Sequence, residues 1–371
     1  MRIRAVGLCL GVALSMTAAF CTQAPAVEWM KTFAGGGAAE GHCVQQTNDG
    51  GYIAVGSTRD SGGLEFYLVK TDSLGNSEWE RSFGHAGMIG AYSVQQTADD
   101  GFVLVGSGRS SRNIRRMGVY LVKTDSLGDI EWQEFVNDSA GFDGGFSVVQ
   151  SEDGGFAVAA TADLSGDSGL ALFKTDSLGD GTWTRLYPVS YPEYGPQDPV
   201  QLRQTSDGGY MIGTKTLLKV DSFGNQQWLS TFSGTTGARS VVQTPDGGYA
   251  ATGPAGGGDQ STLFLLRADA EGNLRWLRNY AQSGLSSGNW LEQTADGGYV
   301  IAGMTQPVDW FRAQLVRTDS GGNEIWSDSP FYGGAACVRQ TRDGGYIVTG
   351  FLSDRSTDAQ SLFLLKLAPE R

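Results

Sequence analysis

The stretch Gln46-Thr47-Asn48-Asp49-Gly50-Gly51-Tyr52 decides the fold of this chain, because versions of it recur from one end of the sequence to the other. The seven copies begin at Gln46, Gln96, Gln150, Gln204, Gln243, Gln293 and Gln340. We number the repeats one to seven from these glutamines. Their spacing of about 50 residues suits a protein in which each repeat is one small β-sheet.

A second pattern, Thr-Asp-Ser-x-Gly-Asn-x-x-Trp, follows the first in six of the repeats. Its copies end at Trp79, Trp132, Trp183, Trp228, Trp276 and Trp326. The missing copy is supplied by the N-terminal segment Val27–Phe33, which matches the strand after each turn. We therefore predict an all-β fold, a seven-bladed β-propeller with four antiparallel strands per blade. The segment Val27–Phe33 is expected to complete the last blade and close the ring.

Repeat one shows how each unit divides into four strands, predicted at Cys43–Thr47, Tyr52–Ser57, Phe66–Thr71 and Glu78–Phe83. The second and third are nearly continuous apolar runs, which predicts burial on both faces. The Asp-Gly-Gly sequences are typical of hairpin turns, and the aspartates of the second pattern can accept bonds from backbone amides. We interpret these aspartates as structural, together with the repeated tryptophans between blades. For the repeated glutamines, bonding between blades is favoured over lining the central channel.

The acidic turn, the glycine and the tryptophan resemble the tryptophan-docking motif of quinoprotein-like propellers. The units are more similar still to the D-G-G-Y propeller repeats of exported bacterial and archaeal proteins, which implies fold and location only. A quinoprotein dehydrogenase would have eight blades and an adjacent cysteine pair, both lacking here. We therefore expect no cofactor.

Residues 1–26 have the pattern of a secretory signal, because Arg2 and Arg4 precede an apolar run that ends in small residues. We predict that residues 27–371 form a single propeller domain that is secreted, periplasmic or at the cell surface. Phe20 stands where a lipobox has a small residue, so lipid anchoring through Cys21 is not expected. No later segment approaches the roughly 20 apolar residues of a membrane span.

The charge of the chain limits its partners. It has 40 acidic against 27 basic residues and a net charge of −13, which disfavours nucleic acid and anionic membranes. A nucleophile elbow, a phosphate-binding glycine loop and a zinc signature are absent from the sequence. We assign no catalytic residue and no metal site. Whether Cys43 and Cys337, at equivalent positions of the first and last repeats, form a disulfide stays open.

The connections predict where a ligand binds. Both repeated turns fall on one rim of the ring, which we call the repeated-turn rim. The loops between second and third strands, and those between repeats, fall on the opposite variable rim, where binding sites usually lie. The residues there that the repeat does not explain are Tyr187, Tyr191 and Tyr194 in a Pro-rich loop, Arg112, Arg115 and Arg116 in a basic loop, and Trp310.

These observations favour a non-enzymatic propeller that binds a carbohydrate, peptide or protein on the variable rim. Two alternatives remain. One is a glycosidase or lyase that uses carboxylates at the channel mouth. The other is a structural scaffold at the cell surface. The tyrosines, Trp310 and the arginines are the predicted ligand contacts, although packed or solvated loop residues would have the same sequence.

Overall fold

The computed structural model describes residues 23–34, 37–60, 63–109, 117–136, 142–164, 167–189, 200–257, 260–280, 284–307, 310–356 and 359–370. Every regular element in these ranges is a β-strand. None of the described segments forms a helix of the length and apolarity needed to cross a membrane.

Repeats one and two share a seven-stranded sheet. Its strands are β2 (Ala39–Gln46), β3 (Tyr52–Asp60), β4 (Gly63–Thr71), β5 (Ser77–Gln96), β6 (Phe102–Arg109), β7 (Met117–Thr124) and β8 (Ile130–Val136). The long strand β5 joins the two repeats, since its first part pairs with β4 and its second part pairs with β6.

Each later repeat forms a separate four-stranded antiparallel sheet. Repeat three contains β9 (Phe142–Gln150), β10 (Phe156–Leu164), β11 (Asp167–Thr175) and β12 (Gly181–Tyr187). Repeat four contains β13 (Gln201–Gln204), β14 (Tyr210–Gly213), β15 (Leu217–Val220) and β16 (Gln226–Ser230). Repeat five contains β17 (Ser240–Gln243), β18 (Tyr249–Gly257), β19 (Gln260–Ala268) and β20 (Leu274–Tyr280). Repeat six contains β21 (Leu285–Gln293), β22 (Tyr299–Gln306), β23 (Arg312–Thr318) and β24 (Glu324–Asp328).

Repeat seven supplies β25 (Gly333–Gln340), β26 (Tyr346–Ser353) and β27 (Gln360–Leu367), and the N-terminal strand β1 (Val27–Phe33) pairs with β27. The pairing is antiparallel, with Met30 opposite Leu365. The first strand of each repeat contacts the first strand of the next, and β25 contacts β2. One bond between the last and first repeats runs from the Arg342 amide to Gln46 Oε1, at 3.0 Å.

The second and third strands form the core, as their composition predicts. In β4, for example, all six residues from Phe66 to Thr71 are buried. The fourth strands are mostly exposed on one side and present their tryptophans to the neighbouring repeat. The hydrophobic clusters span adjacent sheets, so each repeat depends on its neighbours for burial.

The Asp-Gly-Gly turns have the predicted geometry. Asp49 Oδ1 accepts bonds from Thr47 Oγ1 and the Gly51 amide, and Gly50 has a φ of 90°. The structure adds an ion pair that the sequence did not predict, since Lys70 Nζ lies 2.8 Å from Asp49 Oδ2 while its side chain is only 5% exposed. Every repeat has this pair between a turn aspartate and a third-strand cation. The others are Asp99–Lys123, Asp153–Lys174, Asp207–Lys219, Asp246–Arg267, Asp296–Arg317 and Asp343–Lys366.

Six of the seven repeated tryptophans pack against a turn glycine of the next repeat, as the docking motif implies. Trp183 contacts Gly224, where a Cβ would lie 2.8 Å from the indole ring. The same contact joins Trp29 to Gly75, Trp79 to Gly128, Trp132 to Gly179, Trp228 to Gly272 and Trp276 to Gly322. Trp228 Nε1 also donates to Ala270 O, which is a bond to neighbouring backbone.

The repeated glutamines bond between repeats, as favoured above. Gln96 Oε1 accepts the Asn48 amide at 2.8 Å, and Gln150 Oε1 accepts the Ala98 amide at 2.9 Å. Gln46, Gln243 and Gln340 make the equivalent bond. These side chains therefore link adjacent repeats.

Candidate functional site

The structure describes only two of the predicted site residues, Tyr187 and Trp310. Tyr191, Tyr194, Arg112, Arg115 and Arg116 lie outside the described residues. Tyr187 is described and is only 5% exposed, while Trp310 is 37% exposed.

The burial of Tyr187 follows from the repeat itself. It lies four residues after Trp183, as Tyr280 lies four residues after Trp276. The Tyr187 hydroxyl donates to Gly224 O at 2.6 Å, and the Tyr280 hydroxyl donates to Gly322 O at 2.7 Å. Burial raises the pKa of both hydroxyls, which keeps them protonated as donors. Tyr187 is therefore buried in the contact between repeats three and four.

Trp310 belongs to an exposed surface that we call the aromatic ledge, formed by Trp310, Phe311, Tyr332 and Arg355. The Arg355 guanidinium carbon lies 5.8 Å from the Trp310 ring centroid and 4.8 Å from that of Tyr332. Its Nη1 also donates to the Tyr332 hydroxyl at 3.3 Å. Phe311, next to Trp310, is 44% exposed. The ledge thus combines the exposed rings of Trp310 and Phe311 with an arginine that packs against Tyr332.

Three separate connections build the ledge. Trp310 and Phe311 precede β23, Tyr332 lies between β24 and β25, and Arg355 lies between β26 and β27. All three belong to the variable rim as defined above. Arg312 fixes the middle of the ledge, because its guanidinium lies 4.8 Å from the Tyr332 centroid and its Nη2 donates to Ser329 O at 2.6 Å. The sequence indicated Trp310 but gave no sign that Tyr332 and Arg355 join it.

A second set of side chains, partly exposed except for the buried Phe146, lies along the first strands of five repeats. In five repeats the pairing between the first and second strands contains a β-bulge, and the extra residue of the first strand has no partner opposite it. These residues are His42, Tyr92, Phe146, Asn289 and Ala336. The rings of His42 and Tyr92 stack at 5.1 Å, and Tyr92 lies 5.2 Å from Phe146. The result is a row of rings across three repeats, which we call the entrance row.

Charged and polar groups accompany these bulge residues. Glu40 Oε2 lies 3.8 Å from His42 Nε2, and the nearby His42 ring lowers the pKa of Glu40. Burial, together with the charge of Glu40, raises the pKa of Tyr92 to about 12. In repeats five and six, outside the entrance row, Arg239 Nη1 donates to Asn289 Oδ1 at 2.9 Å. These groups suit recognition of polar ligand atoms beside apolar ones.

The first-strand carboxylates that the structure describes lie beside basic side chains. Among first-strand carboxylates whose side chains are described, Glu40 faces His42, and Glu292 Oε2 accepts Arg339 Nη1 at 2.9 Å. Each is thus held by a basic partner. Within the described ranges, no group of three or more His, Cys, Asp or Glu residues is placed to hold a metal ion.

Comparisons with known proteins find similarity in structure alone. No protein-family model matches the sequence, and no curated protein matches it. Among solved structures, the Pan2 WD40 domain of Neurospora crassa has a TM-score of 0.59 at 11% identity, with 90% of each chain covered. Sqt1 of Chaetomium thermophilum, bound to the N-terminus of the ribosomal protein L10, has a TM-score of 0.55 at 13% identity, with 91% of this chain and 98% of that one covered. The polysaccharide lyase Uly1 has a TM-score of 0.52 at 12% identity, with 89% and 90% covered.

At these sequence identities the structural similarity indicates a shared fold and does not indicate a shared activity. The antiparallel four-stranded sheets, the contacts between successive first strands and the similarity to a WD40 domain together show that this chain is a β-propeller.

Proposed function

We propose that this chain is an exported binding propeller of seven blades whose variable rim holds a segment of a partner protein. The pairing of β1 with β27 and the contact of β25 with β2 support a ring closed by the N-terminal strand. The signal pattern of residues 1–26 supports export to the periplasm, the cell surface or the medium. Such a ring would provide a rigid base for the loops of the variable rim.

The observation that carries the binding proposal is the aromatic ledge. Trp, Tyr and Arg are the residues most enriched at the energetic centres of protein interfaces. Here Trp310, Tyr332 and Arg355 come from three connections and lie together with a partly exposed Phe311. Arg355 is already held against both rings, so binding would cost little further side-chain entropy.

Related architecture is used in this way elsewhere. The Sqt1 propeller is solved with the N-terminus of a ribosomal protein bound, which shows that a propeller of this general shape accepts a terminal peptide. We extend the proposed surface along the variable rim to the two loops that carry Tyr191, Tyr194, Arg112, Arg115 and Arg116. Acidic peptides would suit the arginines of this rim.

The proposal is tested on peptide and glycan arrays probed with the wild type and with a Trp310→Ala, Arg355→Ala double variant. A Phe223→Ala variant is the matched control, because Phe223 is 65% exposed and belongs to the Asp221 turn on the repeated-turn rim. We expect wild-type signals on peptides that fall at least tenfold in the double variant and stay unchanged in the control. A Tyr191→Ala, Tyr194→Ala variant tests the extension along the rim.

Three results would contradict the proposal. Equal peptide signals from the wild type and the ledge variant would remove the ledge as the site. Signals on glycans alone, lost in the ledge variant, would replace the protein partner by a carbohydrate. No wild-type signal on any peptide would favour a scaffold role.

A further inference from the structure

A cluster of basic and aromatic side chains lies on the first strands, deeper than the entrance row. Arg203, Glu292 and Arg339 occupy the position just before the repeated glutamine in repeats four, six and seven. Trp290 lies two residues before Glu292. In repeat five the same position is Val242, a short side chain. The long Arg203 side chain therefore passes repeat five and reaches repeat six.

The two guanidinium groups meet at the Trp290 ring. The guanidinium carbon of Arg203 lies 5.0 Å from the ring centroid, and that of Arg339 lies 4.6 Å from it. Glu292 compensates only one of these charges, since it pairs with Arg339 at 2.9 Å. Burial and the nearby Arg339 charge lower the pKa of Arg203 to about 10, so Arg203 is still protonated at neutral pH. Arg203 thus has no carboxylate partner among the described residues, within a protein that has a net charge of −13.

The cluster also holds hydrogen-bond donors that nothing in the described part of the chain accepts. They are Gln201 Nε2, Arg203 Nη2, Trp290 Nε1 and Arg339 Nε. All four atoms are buried, and all four carry N–H groups. The Gln201 side chain is oriented by its other end, where Oε1 accepts the Val241 amide at 2.7 Å. A buried donor without a partner costs about 1–3 kcal/mol, so four in one cluster indicate a missing acceptor.

The nearest acceptors in the protein are already in use. Glu292 Oε1 accepts the Gln340 amide at 3.0 Å, and Glu292 Oε2 accepts Arg339 Nη1. Cys43 lies close by as a free, buried thiol whose Sγ donates to Val94 O at 3.8 Å. The neighbouring Cys337 thiol and the Arg339 charge lower the pKa of Cys43 to about 6. The Cys43 and Cys337 sulfurs are therefore the internal groups among the described residues that could compete for the arginines.

We propose that Arg203, Trp290, Arg339 and Gln201 form a binding site for a small oxyanion, a carboxylate or a phosphate, at the centre of the ring. The two cations supply the charge, and the four free N–H groups supply the donors that such an anion accepts. An indole donor beside two arginines favours a compact anion over a long chain. The site is separate from the ledge and does not depend on a partner protein.

The test is a titration of the protein with sodium acetate and, separately, sodium phosphate, each at constant ionic strength. The reporter is the indole N–H cross-peak of Trp290 in a proton–nitrogen correlation spectrum, assigned by its loss in Trp290→Phe. We expect this peak to move downfield and saturate with at least one of the two anions. Comparison of the two salts distinguishes a planar carboxylate from a tetrahedral phosphate.

Arg203→Met should weaken the binding at least tenfold. Arg275→Met is the control, because Arg275 is 65% exposed and pairs with Asp269. It should leave the binding unchanged. A second variant, Trp290→Phe, keeps an aromatic ring and removes only the N–H donor, so it tests the site even if Arg203→Met does not fold. We expect the anion to raise the melting temperature of the wild type more than that of Trp290→Phe.

Two outcomes would overturn the proposal. Absence of a saturable shift with both salts would leave the Cys43 sulfur as the counter-ion of the arginines. Equal affinity in the wild type and Arg203→Met would show that the anion binds elsewhere.

Discussion

At the scale of the residue, each repeat is held by an ion pair between a turn aspartate and a cation from the third strand. The aspartates were predicted as turn residues, and that role is seen in their bonds to backbone amides. The cations were missed, because Lys70 and its counterparts end apolar strands and look like exposed strand ends in the sequence. Only the packing of the turn over the strand shows that they are buried.

The number of acidic partners of each lysine predicts how much stability is lost when its turn aspartate is replaced. Lys219 has Asp207 as its only acidic partner among the described residues, whereas Lys70 has both Asp49 and Glu78. We expect Asp207→Asn to lower the stability by about 1–3 kcal/mol, because it leaves a buried ammonium without a counter-ion. Asp49→Asn should lower the stability by less, because Glu78 still pairs with Lys70. Urea midpoints measure the difference.

The control for both aspartates is Glu134→Gln, which removes an exposed charge from β8. It should change the urea midpoint little. If Asp207→Asn and Asp49→Asn shifted the midpoint equally, the number of counter-ions would not explain the stability of these turns.

At the scale of the element, adjacent sheets are joined where a fourth-strand tryptophan meets a turn glycine of the next repeat. Gly224 has a φ of 77° and contacts Trp183, while Gly208 in the same repeat has a φ of 78° and nothing within 4 Å of a Cβ. The two glycines therefore have the same left-handed backbone and differ in the side chains that an added methyl group would meet.

This difference makes a paired test. Alanine at either site costs about 1–2 kcal/mol for the left-handed backbone. Gly224→Ala should cost about 1–3 kcal/mol more, because its methyl group would lie 2.7 Å from Arg185 Cγ and 2.8 Å from the Trp183 ring. Chemical denaturation followed by tryptophan fluorescence measures both variants. Equal losses would mean that the indole contact contributes little to the joining of the repeats.

The elements also show where sequence patterns stop being informative. The repeat predicted the strands and turns of each unit, but β2 and β3 extend further toward the variable rim than predicted. The register shifts at His42 and Tyr92 were not predicted, because a bulge leaves no mark in hydrophobic alternation. Tyr187 was assigned to a ligand although its spacing from Trp183 matched that of Tyr280 from Trp276. That spacing was the signal for its packing role.

At the scale of the whole molecule, residues distant in sequence meet in ways that single repeats cannot indicate. The ledge unites three connections, and Arg203 reaches Trp290 past an entire repeat. Repetition identifies the residues that build the fold, whereas sites depend on side chains that differ between repeats and meet only in three dimensions. β1 completes the last sheet, and we propose that it thereby closes the ring.

The most direct test compares a chain that begins at residue 23 with one that begins at residue 34 and lacks β1. Without β1, the edge of β27 is unpaired and Gly75 loses its contact with Trp29. We predict a lower urea midpoint and association through the free edge, seen by light scattering, both reversed by a synthetic peptide of residues 23–33. A truncated chain as stable and as monomeric as the longer one would contradict closure by the N-terminal strand.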